Sequence, residues 1–104
     1  NLNNWFYLYV FFELKLIKEL GYDTNLDKYI SKNLENKELI KTNIDGNHYE
    51  VPNYLIKKKI PDNFTNILMR KSLYFTRQVM QNKFFIPNNI LFPKSRIILE
   101  NYFN

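Results

Sequence analysis

The segment from Trp5 to Leu20 constrains the fold more than any other stretch of this chain. Trp5, Leu8, Phe12 and Leu16 recur at helical spacing along one face, and Phe6, Val10, Leu14 and Ile17 cover the face beside it. A helix that is apolar nearly all round is buried on more than one side. The segment is therefore expected to form a helix over about Asn4 to Leu20, central to the core, with Phe12 inside. Asn3 or Asn4 supplies a short amide to cap the first turn. Gly21 tolerates the left-handed conformation that ends many helices. Length argues against a membrane span, because crossing a bilayer takes roughly 20 apolar residues and Glu13, Lys15, Lys18 and Glu19 interrupt too early. No basic residue precedes the apolar run and no small-residue cleavage site follows it, which argues against a signal peptide.

Beyond Gly21 the pattern changes twice. Residues 22–38 are polar and mixed, with Leu26, Tyr29, Ile30 and Leu34 able to anchor one or two helical turns. Leu39, Ile40, Thr42 and Ile44, then Asp45-Gly46, then Tyr49 and Val51 read as two short strands around a tight turn. Asp-Gly suits a turn in which both central residues need positive φ. A lone hairpin is marginal in water, so this one must lean on helices. Pro52 and Pro61 bracket a segment with room for one helical turn, which carries Lys57, Lys58 and Lys59. A second long helix is expected over about Thr65 to Phe84, with Ile67 or Leu68, Phe75, Val79 and Met80 inward and Arg70, Lys71 and Arg77 mainly off that stripe. Pro87-Asn88-Asn89 makes a loop. A last helix begins near Pro93, a residue suited to the first helical position, and turns Ile98, Leu99 and Tyr102 inward. The fold class is thus mainly α, a small helical domain with one short β-hairpin.

The chain has 104 residues, the size of one domain, and 45% of them are hydrophobic, enough for a core. Cysteine is absent and His48, on the hairpin, is the only histidine, so thiolate chemistry and a zinc site of the usual kind are excluded. His48 reads as a surface residue. Gly21 and Gly46, the only glycines, lie too far apart for a phosphate-cradling loop. Asp23 and Asp27 read as solvated charge in a linker. No constellation supports an enzyme, and no cofactor is expected. The net charge of +5 favours a polyanionic partner, nucleic acid first. Arg70, Lys71, Tyr74 and Arg77 fall within two turns of one helix, and Lys94 and Arg96 open the next. Cations neutralise phosphates and an exposed Tyr stacks on a base. Arg70, Lys71, Arg77, Lys94 and Arg96, with Lys57, Lys58 and Lys59 beside them, form the candidate DNA-binding face. The competing reading is a solvated helix face on a small protein-interaction domain whose basic surface is compositional.

Phe12-Glu13-Leu14-Lys15-Leu16, Leu20-Gly21-Tyr22 and Leu26-Asp27 resemble the helix and turn that open the C-terminal domain of the RecO family of DNA repair and recombination mediators. Leu73-Tyr74-Phe75-Thr76, Phe85-Ile86-Pro87 and Phe92-Pro93-Lys94-Ser95-Arg96 are similar, in order and spacing, to the C-terminal half of alphaproteobacterial members. The resemblance runs from about Phe6 to Tyr102. It implies that residues 1–104 are a RecO-like C-terminal helical domain, with 22–61 a degenerate zinc-finger and hairpin insertion. Tyr29 stands where the family has its first zinc cysteine and Lys32 where its partner would follow, so no metal is expected and Tyr29, Ile30 and Leu34 would hold the local fold by packing. The chain opens on Asn1 rather than Met and has no counterpart of the family's N-terminal OB-fold, so it is expected to be cut from a longer sequence. The function implied is binding of single- and double-stranded DNA without sequence preference, strand annealing, and work with RecR and single-stranded DNA-binding protein to load RecA. The implied setting is the bacterial cytoplasm, at the nucleoid.

Overall fold

A computed structural model describes residues 2–29 and 37–103. The elements run α1 (Leu2–Glu19), a 3-10 turn (Leu26–Tyr29), β1 (Leu39–Ile44), β2 (Asn47–Pro52), α2 (Asn53–Lys57), α3 (Asn66–Met80), a π-helical turn (Gln81–Phe85) and α4 (Lys94–Asn101). The fold is mainly α with one antiparallel hairpin, as the alternation of periods predicts. The packing expected of Tyr29, Ile30 and Leu34 concerns side chains outside the described residues, as does Lys32.

α1 begins at Leu2, so Asn3 and Asn4 lie within it and do not cap it. Gly21 ends it as expected. At φ +95° it lets its own N–H reach the Lys18 carbonyl at 2.9 Å while Tyr22 N–H reaches Ile17 at 3.1 Å, so carbonyls of the last turn are satisfied. The inward face of α1 is not the expected one. Phe6, Val10, Glu13 and Ile17 are buried, whereas Phe12 is 61% exposed and Trp5, Leu8 and Leu16 are exposed with it. The two apolar stripes compete for one packing surface on α3. The winning stripe carries Glu13, which meets a buried arginine, and periodicity alone scores that carboxylate as an outward residue.

The hairpin alternates as a half-buried ribbon should. Ile40, Thr42, Ile44, Tyr49 and Val51 face inward and Lys41, Asn43, His48 and Glu50 face solvent. Asp45 and Gly46 both take positive φ, at +52° and +87°, and Gly46 N–H donates to Asn43 Oδ1. Val51 and Tyr49 pack on α3, Tyr49 meeting Phe75 edge to face.

Thr65 caps α3 by accepting from Leu68 N–H at 3.1 Å. Leu68, Leu73, Phe75, Thr76, Val79 and Met80 are buried along it, while Ile67 is exposed. α1 packs along α3, and α4 packs against α3 as well. In α4, Ile98 and Tyr102 are exposed, contrary to their expected inward placement, and Arg96, Glu100 and the following Phe103 are buried instead. An eight-residue helix buries one narrow stripe, and Arg96–Glu100–Phe103 wins it because Phe103 meets Phe6 edge to face and both charges find partners.

Candidate nucleic-acid interface

Two of the candidate DNA-binding cations are bound within the fold. Arg96 donates from Nε to Glu13 Oε2 at 2.6 Å and from Nη2 to Glu13 Oε1 at 2.9 Å, a two-point pairing. Nη2 also lies within hydrogen-bond distance of the Leu73 carbonyl and Thr76 Oγ1. Thr76 and Tyr9 donate their hydroxyls to Glu13. Burying a charge is costly unless it is paired and hydrogen-bonded; this network meets that demand at Nε and Nη2, while the buried Nη1 has no hydrogen bond and lies 3.7 Å from Glu100. Arg96 therefore belongs to the core, and its place on an exposed cationic face is corrected. Arg77 is paired as well, its Nε and Nη2 donating to the two oxygens of Glu100 at 2.7 and 3.1 Å. Hydrogen bonding to Glu100 holds its guanidinium firmly protonated. It also lies 4.9 Å over the Tyr74 ring, so it braces α3 against α4 and does not offer a free charge.

Of the remaining candidates, Lys71 is half-buried and the others are exposed. Lys58 takes a left-handed conformation, φ +56°, at the end of α2, and this turn splits the lysine run. Lys58 reaches Asp27 at 3.1 Å, while Lys57 and Lys59 line an open cleft of about 520 Å³ with Lys37. Asn53, Asn63 and the carboxylates of Glu38 and Asp62 share that lining, so three cations face two anions. Arg70 and Lys94 are exposed. Lys71 lies 3.7 Å from Glu50.

A groove of about 600 Å³, lined by none of these candidates, runs between the outer face of the hairpin and α3, bordered by Lys41, Asn43, His48, Glu50, Tyr74 and Gln78. His48 is on the surface, as expected. Lys37 and Lys41 were not singled out by their sequence surroundings. The signal for Lys41 lay in strand alternation, which puts it outward between Ile40 and Thr42. Lys37 carries no such signal.

Comparison with protein-family models, curated proteins and solved structures returns no match. Among the described residues no three His, Asp or Glu side chains gather to hold a metal ion, and no helix is long and apolar enough to cross a membrane. Tyr9 is pushed up to about 12, first by burial and then by the Glu13 charge and hydrogen bond. Burial likewise raises Tyr54, whose hydroxyl donates to Ser72 at 2.7 Å. Both phenols serve as neutral donors inside the fold. The cleft and the groove together present lysines, amides, carboxylates and the 43%-exposed ring of Tyr74.

Proposed function

We propose that this chain is a non-enzymatic, DNA- and partner-binding domain of a RecO-like recombination mediator. The observation that carries the reading is the convergence of Lys37, Lys57 and Lys59 on one open cleft, in a chain of net charge +5. Six acidic side chains already face a basic partner in the fold, against 15 Lys and Arg in the chain. The RecO-like motifs support the reading through their places in the fold: Leu20-Gly21-Tyr22 closes α1 and Phe92-Pro93-Lys94-Ser95-Arg96 opens α4. Binding runs through phosphates and is indifferent to sequence. RecR and single-stranded DNA-binding protein are the partners, and the setting is the bacterial nucleoid, on the strength of the resemblance alone.

The test is anisotropy of labelled single- and double-stranded oligonucleotides across a salt series. The expected affinity is about 10⁻⁴–10⁻⁶ M, with each neutralised phosphate adding about 0.7–0.9 to the log–log slope. Replacing Lys57, Lys59 and Arg70 together by Ala should lower both affinity and slope and leave the melting temperature nearly unchanged. No binding at low salt overturns the reading.

A second reading, a helical protein-interaction domain with a compositionally basic surface, is favoured by the apolar row Trp5, Leu8, Phe12 and Leu16 exposed along α1. Large contiguous apolar patches mark interaction sites on folded proteins. That reading predicts a parent that binds no DNA, and it fails if the lysine variants lose DNA binding as described.

A further inference from the structure

Tyr74 stands at the mouth of the groove between the hairpin and α3, with 43% of its surface exposed. Its ring is held from two sides. Gln78 Nε2 donates to its hydroxyl at 3.1 Å, and the Arg77 guanidinium, itself fixed by Glu100, lies over one face. A ring already fixed in this way loses little freedom when a planar ligand stacks on it. Across the groove, Lys41 and Glu50 are partners in the strand register. Glu50 also lies 3.7 Å from Lys71, so the carboxylate that lines the groove is countered by a lysine beyond its lining, and Lys41 is the lysine within it. His48 adds an imidazole on the same outer face. Strand β1 joins this groove to the lysine cleft, because Glu38, just before the strand, lines the cleft and Lys41 and Asn43 line the groove. From Lys37 to Lys41 the chain advances about 13 Å at strand rise.

We propose that single-stranded DNA lies along β1, with a base stacked on Tyr74 in the groove and its phosphates held by Lys41 and by the Lys37–Lys57–Lys59 cleft. This rests on the DNA-binding reading above and assigns its substrate as a single strand. In a duplex the faces of the bases are stacked on one another, and only an unstacked base offers its face to an aromatic side chain. The footprint is short, on the order of 4 nucleotides, the low end for such platforms. Arg77 acts here as a brace for the ring.

The experiment compares a labelled twelve-nucleotide oligo-dT with a twelve-pair duplex, using the parent, Tyr74→Ala, Tyr74→Phe and Lys41→Ala. The parent should bind the single strand more tightly than the duplex. Tyr74→Ala should weaken single-strand binding by about 5- to 150-fold, the range for losing one base-stacking contact, and leave the duplex unaffected. Tyr74→Phe, which keeps the ring, should restore most of that loss. Lys41→Ala should lower the single-strand salt slope by about 0.7. If Tyr74→Ala binds oligo-dT like the parent while the Lys57, Lys59 and Arg70 replacements weaken it, DNA binding stands and the groove is not its path. If the parent binds neither oligonucleotide, both the groove and the reading beneath it fall.

Discussion

Glu13 and Arg96 meet across 83 positions of sequence, and each is meaningful only through the other. Alone, a carboxylate on the inner face of α1 would be a buried charge, and a guanidinium in α4 would expel that helix from the core. Together, with Thr76, Tyr9 and the Leu73 carbonyl, they neutralise one another and are hydrogen-bonded at every polar atom but Arg96 Nη1. Removing one partner from a buried pair costs about 3–5 kcal/mol, whereas replacing both by apolar groups of similar volume is often neutral. Glu13→Leu and Arg96→Met should each destabilise by that amount in urea unfolding. The double variant should be more stable than either single one, and additive losses would show that the pair is not the unit.

At the scale of the element, α1 shows how two apolar stripes on one helix are told apart by what lies opposite. Phe6 is fully buried, edge to face with Phe64 and Phe103, and Phe12 points outward. Phe6→Ala should therefore cost about 3–5 kcal/mol, the usual range for emptying a core aromatic. Phe12→Ala should stay within about 0.5 kcal/mol, as surface substitutions do. Thermal melts of the two variants check this, and equal losses would place Phe12 in a packed environment.

For the whole molecule, neutral phenols inside the fold tie stability to alkaline pH. The folded state raises Tyr9 to about 12 and raises Tyr54 as well, chiefly by burial, whereas an unfolded tyrosine ionises near pH 10. The folded chain thus keeps protons that the unfolded chain releases. The stabilisation is complete below about pH 10 and is lost as pH rises toward the folded values. Tyr54 contributes most, being 6% exposed. Chemical unfolding at about pH 8 and pH 11 should show a drop that Tyr54→Phe reduces. An unchanged slope in that variant would assign the alkaline loss to other groups.

Local chemistry was enough to determine the elements. Gly21 ends α1, Asp45-Gly46 closes the hairpin and Thr65 opens α3, because each acts through its own backbone or its nearest turn. Apolar spacing identified which segments are helices, but not which way α1 and α4 turn. That choice depended on Arg96 finding Glu13 and on Phe103 reaching Phe6, contacts between residues far apart in the chain that no local pattern encodes. The candidate site divides in the same way. Lys57 and Lys59 were visible as a run of charge, whereas the pairing of Arg77 with Glu100 and of Arg96 with Glu13, the union of Lys37 with that run, and the groove between Lys41 and Tyr74 exist only once the elements have packed together. Charge is written residue by residue, but which charges remain for a partner is decided after the fold has used those it needs.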